Sequence, residues 1–167
     1  MVKYADGPQT EVEIDIAVPP EVVWPLVCDI NTPSAFSVEF QRAEWIDDGP
    51  GPGARFRGYN KHSRVGEWSV ECTITDFVEG AVFEWSVGEG ADRAARWRFE
   101  LTSTTTGSHL RFGAEMGPGR SGLTPAIEAM PEREDDIVAG RLNEWTDNMR
   151  ATAEGIKGLA EDVRDRR

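Results

Sequence analysis

Few side chains in this sequence are able to do chemistry, and the spacing of most of them excludes it. The chain has two histidines and two cysteines. His62, His109, Cys28 and Cys72 show no paired ligand spacing, so no metal is expected. Cys28 and Cys72 sit among apolar neighbours and read as inert core thiols. Gly49-Pro-Gly-Pro-Gly53 lacks a following Lys-Ser/Thr pair and helix, so it reads as a rigid connection, not a phosphate loop. Gly119-Arg-Ser-Gly122 lacks the spacing of a nucleophile elbow. What remains is Asn60 and His62. Two residues apart on a strand, they share a face with Phe56 and Gly58. Polar groups on a face lined by rings need hydrogen-bond partners, because burial without them costs about 1–3 kcal/mol. One reading is that they orient a ligand carbonyl or hydroxyl, with His62 as a proton shuttle near neutral pH. The other is that neighbours or water satisfy them, or that His62 lies in solvent beyond the strand end. Asp76 points inward by the same alternation, but its place near a strand end suits a turn. Arg120, between the last strand and the final helix, is either an exposed loop residue or a partner for a carboxylate at a pocket entrance.

The elements that must position these groups follow from hydrophobic periodicity. Val12, Ile14, Ile16 and Val18 alternate with polar residues, the pattern of a half-buried strand that Pro19 and Pro20 end. A short helix follows, with Pro20 in its first turn, Glu21 at its positive end and Pro25 limiting its length. A second short helix is expected over Ser34 to Phe40. From Gln41 to Met116 the chain reads as consecutive strands. They cover Arg42 to Asp47, Ala54 to Arg64, Glu67 to Val78, the stretch carrying Phe83, Trp85 and Val87, then those carrying Trp97 to Leu101 and Leu110 to Met116. Each has one apolar and one polar face, as an antiparallel sheet reads when one side is covered. The gaps are too short for the crossover helices of a parallel sheet.

Thr124-Pro125 suits a helix start, and Pro131 followed by four acidic residues within five positions is a stronger one. Val138, Leu142, Trp145, Met149, Ala153, Ile156 and Ala160 then step by three or four, the stripe of a long amphipathic helix. Gly140, Gly155 and Gly158 weaken it by about 1 kcal/mol each relative to Ala. The fold class is therefore α+β, a curved antiparallel sheet of about seven strands with a long C-terminal helix and two short helices after the first strand. The 167 residues read as a single domain, with its core over about 10–160.

The formal net charge is −12, which repels phosphate backbones and anionic lipid, so nucleic acid is not an expected partner. No apolar run nears the ~18 residues of a membrane span, so no membrane insertion is expected. Met1 to Thr10 lacks the features of a signal peptide, and a cytoplasmic, reduced setting is the default. Arg164, Arg166 and Arg167, interrupted by Asp162 and Asp165, read as a frayed solvated tail. Six tryptophans are too many for a surface, so most should line an interior or a binding site.

The order of strand, short helices, six-strand meander and long terminal helix resembles the helix-grip fold of the START/Bet v 1-like superfamily, and within it the polyketide cyclase/dehydrase-type (SRPBCC) proteins. The likeness rests on Val12 to Ile30 with its Pro-Pro-Glu-Val-Val-Trp24-Pro-Leu-Val run and on Gly53-Ala-Arg-Phe56. It rests also on Thr75-Asp-Phe-Val-Glu-Gly80 with Phe83-Glu-Trp85, and on the terminal helix. It implies a cavity between sheet and helix. By alternation that cavity is lined by Trp45, Phe56, Trp68, Trp85, Trp97, Phe99, Phe112 and Met116 from the sheet, with Trp145 and Met149 facing them from the helix. The resemblance implies an apolar, lipid- or polyketide-like ligand, no cofactor, and a monomer or homodimer. Two alternatives stand beside a carrier: a cyclase/dehydrase-type enzyme using Asn60 and His62, and an interaction domain resembling chaperone-activating relatives and working through the acidic surface.

Overall fold

The alternating segments assemble into one seven-stranded antiparallel sheet in a computed structural model that describes residues 1–166, apart from the side chain of Arg164. The strands are β1 (Gln9–Ile16), β2 (Phe40–Trp45), β3 (Arg55–His62), β4 (Gly66–Val78), β5 (Val82–Val87), β6 (Ala95–Thr104) and β7 (Gly107–Met116). β2 to β7 form an unbroken meander, and β1 closes on β7, giving the order β1-β7-β6-β5-β4-β3-β2. The helices are α1 (Pro20–Val27), α2 (Thr124–Ala129) and α3 (Glu134–Asp165). This is the helix-grip layout.

Local chemistry explains where the connections differ from expectation. The second short helix shrinks to a 3-10 turn, Thr32–Ala35. Asn31 holds that turn on β2: its side-chain oxygen accepts the N–H of Ala43 at 2.8 Å and its amide donates to the Ala43 carbonyl at 3.1 Å. Ser37 Oγ then accepts the N–H groups of Glu39 and Phe40, both at 3.1 Å, and steers the chain into β2. A bulge in β4 shifts the pairing between Ile74 and Asp76. An extra residue reverses the inside-outside alternation, so the inward reading of Asp76 does not hold. Asp76 lies within β4 on the outer face and accepts from Arg98 at 2.9 Å. Phe77 takes the inner face instead, edge-on to Trp24 and Phe83.

The outer face is laced with ion pairs. Arg98 donates to Asp76, Glu84 and Glu100, and Arg111 pairs with Glu11, Glu13 and Glu100. The core lies on the opposite face, where Ile16, Ile74, Phe83, Leu110 and Met116 are fully buried.

α3 follows from its stripe. Val138, Met149, Ala153, Ile156 and Ala160 are buried, while Leu142 and Trp145 are half-buried. Three acidic residues, Glu134 to Asp136, occupy its first turn, where the helix dipole favours them. The N-terminal segment uses two of them, the Val2 N–H donating to Asp135 and the Tyr4 N–H to Glu134. Gly155 is more than a weak point in this helix. A Cβ there would lie 2.4 Å from the Phe36 ring, so the glycine is what lets the 3-10 turn seat against α3. Gly140 and Gly158 have open space around them. The expected frayed tail is helical to Asp165, and Arg166 pairs with Asp162 at 2.9 Å. Of that tail, the Arg164 side chain and Arg167 lie outside the described residues.

Candidate functional site

The sheet curves around α3 without closing on it, leaving a cavity of about 940 Å³. Small-molecule sites span roughly 300–1,000 Å³. Phe56, Trp68, Trp85, Trp97, Phe99, Phe112 and Met116 from the sheet line it, with Trp145 and Met149 from α3. Trp85 is the hub of the wall, with its ring centroid 5.5 Å from Phe83, 6.1 Å from Phe56 and 6.4 Å from a stacked Trp97. Trp145 reaches down from the helix to Trp97, 4.6 Å between centroids. Trp45 lies outside the lining. It packs edge-on against Phe56, which itself borders the cavity. Phe83, which alternation puts on the face of Trp85, lines the cavity as well, and so does Phe40, which was read into the second short helix. Phe40 is the more instructive case: its ring sits 3.3 Å from where a Cβ on Gly58 would be, so that glycine makes room for it.

Asn60 and His62 both face the cavity, at the end of β3. Around them the fold gathers a polar cluster that spacing did not reveal. His62 Nε2 lies 3.3 Å from Glu144, and His62 Nδ1 accepts the Arg64 N–H at 3.1 Å. With Nδ1 accepting, Nε2 carries the proton and donates to Glu144. Glu144 also accepts from Arg64 and Arg141, both at 2.7 Å. Arg141 reaches onward to Glu39 at 2.5 and 3.1 Å. The Glu39 and Arg141 side chains are 11% and 19% exposed, so this pair is largely removed from water. Burial opposes the charge on Arg141, but hydrogen bonds and charge from Glu39, then Glu144, hold its pKa above the ordinary value. Burial likewise raises Glu144, and the bonds from Arg141 and His62 outweigh it, leaving the carboxyl below its usual range. Cys72 borders the cavity as a neutral thiol, pushed up to about 12 by burial and then by Glu71.

Of the cluster, only Arg141 follows from Trp145, four residues on along the same helix face; Glu144, adjacent to Trp145 and turned about 100° from it, does not. Glu39 was not legible, because its direction depends on the Ser37 turn. Asn60 makes no side-chain hydrogen bond among the described residues. Arg120 sits at the cavity rim and is paired with Glu128 at 2.7 Å. No group of three or more His, Cys, Asp or Glu among the described residues is arranged to hold a metal. Among the described residues no helix is long and apolar enough to cross a membrane.

Comparison with known proteins agrees with this architecture. The sequence profile of the family described as polyketide cyclase/dehydrase and lipid transport matches residues 8–157. No protein of curated function matches the chain. Among solved structures, the polyketide-cyclase-like protein Cgl2372 of Corynebacterium glutamicum superposes with a TM-score of 0.67 at 23% identity, covering 92% of this chain and 91% of that one. The di-domain ARO/CYC StfQ of the steffimycin biosynthetic pathway gives 0.72 at 11% identity, over 94% of this chain and 51% of StfQ. Ara h 8.0201 gives 0.60 at 13% identity, over 93% and 98%. At these identities the structural likeness speaks for the fold. The profile match, spanning most of the sequence, shows that the chain belongs to the polyketide cyclase/dehydrase and lipid-transport family of the SRPBCC superfamily.

Proposed function

We propose that this protein binds an apolar or aromatic small molecule, lipid- or polyketide-like, in the cavity between the sheet and α3. The observation that carries this reading is the cavity of about 940 Å³, walled by rings with a polar cluster at one end. Mostly apolar concave sites with a few convergent polar groups are the usual form of small-molecule sites. The family description, which joins cyclase chemistry to lipid transport, supports the same reading. An interaction domain acting through its acidic surface would need no such cavity.

Native mass spectrometry of protein purified from its own host tests it. The expected result is a bound small molecule that is released on denaturation. A ligand-free protein that also ignores a panel of fatty acids, sterols and aromatic polyketides would overturn the reading.

Enzymatic turnover of the cyclase/dehydrase kind is the second reading, favoured by Asn60 and His62 on the cavity wall beside Glu144. In this geometry both ring nitrogens of His62 are engaged. To accept a ligand proton, Nδ1 must first release the Arg64 N–H. Replacing Asn60 and His62 together by alanine abolishes turnover if they catalyse, and only weakens affinity if the protein is a carrier.

A further inference from the structure

The polar groups on the cavity wall separate into those already bonded and those still free, and the free ones are mainly hydrogen-bond donors. Each arginine on the wall rests on a carboxylate: Arg141 on Glu39 and Glu144, Arg64 on Glu144, Arg120 on Glu128, Arg133 on Asp136. The hydroxyls of Tyr4, Thr32 and Thr152 each donate to a backbone carbonyl. By contrast, the indole N–H groups of Trp68, Trp85, Trp97 and Trp145 have no hydrogen-bond partner among the described residues. None of these four nitrogens is a buried, unsatisfied atom, a condition found only at Arg93 Nε among the described residues, so each keeps accessible surface, and all four residues line the cavity. Asn148 spends its oxygen on the Val38 N–H and keeps its amide hydrogens, and the Asn60 amide is unbonded.

An indole N–H donates only, and a guanidinium paired with a carboxylate has its positive charge largely offset toward an incoming anion. We infer that the ligand is an uncharged ring molecule carrying ketone- or quinone-type oxygens, and that the cavity discriminates against free carboxylates. The assignment rests on the ligand-binding reading above and narrows it. A carbonyl oxygen between the indoles pairs donors to which the protein itself offers no partner, whereas a pure hydrocarbon leaves them unmet. A carboxylate reaching the polar end meets Glu39 and Glu144, and it must displace one of them to reach Arg141. Rejection by like charge and unpaired groups is a recognised source of specificity.

Three probes of matched ring size separate the outcomes: fluorenone, fluorene and fluorene-2-carboxylate. They are titrated into the intact chain at pH 7.5 and followed by tryptophan fluorescence and by the indole ¹H–¹⁵N signals. Fluorenone is expected to bind at least about tenfold tighter than the carboxylate, a ratio consistent with one or two satisfied donors plus charge rejection. It should also move indole N–H protons downfield, which fluorene does not. Trp145→Phe keeps a ring and removes one donor, so it should lower affinity for fluorenone by a several-fold larger factor than affinity for fluorene. Glu39→Gln loosens the hold on Arg141, so it should raise affinity for the carboxylate several-fold. A carboxylate that binds the unaltered protein as tightly as the ketone, or indole signals that fluorenone leaves in place, overturns the inference while fluorene binding keeps the cavity reading. Failure of all three probes to bind overturns the inference and leaves the cavity reading to the native mass spectrometry above.

Discussion

From Thr152 to Ala160, α3 packs against the body of the protein, whereas from Glu134 to Met149 it spans the cavity. In the C-terminal part Thr152, Ala153, Ile156 and Ala160 are buried, and Gly155 receives the Phe36 ring. Lys157 donates to the Asp15 carbonyl and Glu161 accepts the Ala17 N–H, which fixes the helix to the end of β1. In the N-terminal part Trp145 projects into the cavity, and Arg141 and Glu144 reach across to Glu39 and His62 through long side chains. One half is held by close packing, which tolerates no space. The other half buries Val138 and Met149 but meets the far wall of the cavity through ion pairs. Stability and binding are thus assigned to different stretches of one helix.

The largest effect expected from this contrast is Ile156→Ala. A fully buried isoleucine cut to alanine costs about 2–5 kcal/mol, read from urea unfolding. Trp145→Ala should cost less than the ~3–5 kcal/mol of a packed core tryptophan, because its ring already borders free volume, yet it should lose most ligand affinity. Equal losses of stability would erase the distinction between the halves. Next is Glu39→Ala, which strips a charge-assisted partner from the mostly buried Arg141 and should cost about 1.5–3 kcal/mol. If a ligand is found, the same variant should also speed its exchange, measured by stopped-flow fluorescence, because the link from α3 to the start of β2 is gone.

The glycines give an effect of opposite sign within one turn. Gly155→Ala forces a Cβ into the Phe36 ring and should destabilise by about 1–3 kcal/mol. Gly158→Ala meets nothing and should stabilise by up to about 1 kcal/mol. Thermal melts of the two variants, run side by side, check the pair.

The smallest expected effect concerns pH. The Glu144 pKa is lower in the fold than in the unfolded chain, so its contribution is present above the ordinary glutamate value of about 4.3 and is lost as pH falls through the folded value. His109 on the outer face has the opposite sign. The Asp15 carboxylate, then Glu13, raises its pKa, so its contribution is complete below about 6.5 and fades as pH rises through the folded value. Melting temperatures of Glu144→Gln between pH 3 and 5 and His109→Asn between pH 6 and 8 should each show a flatter slope than the parent protein.

Much of the fold was readable because its signals are local. Val12 to Ile16 and Trp97 to Leu101 alternate with period two, and Val138 to Ala160 steps with the helical period, so each segment carries its own inner face. From those faces alone came most of the aromatic wall and the two polar residues of β3. What failed did so where a distant residue intervened. The bulge before Asp76 reverses one strand's parity, Trp45 packs against Phe56 outside the lining, and the value of Gly155 appears only when Phe36 is beside it. The cluster of His62 with Glu39, Arg141 and Glu144 joins β3, the loop before β2 and α3, segments up to 105 positions apart in the sequence.

The sequence by itself determined which residues turn inward, because alternation and helical stepping are properties of neighbours along the chain. Only the tertiary structure decided that the inward rings stop short of filling the space, and that the arginines there are already paired with carboxylates while the indole N–H groups have no partner in the protein. Volume and charge pairing depend on how far apart the sheet and α3 are held, and no local pattern encodes that distance.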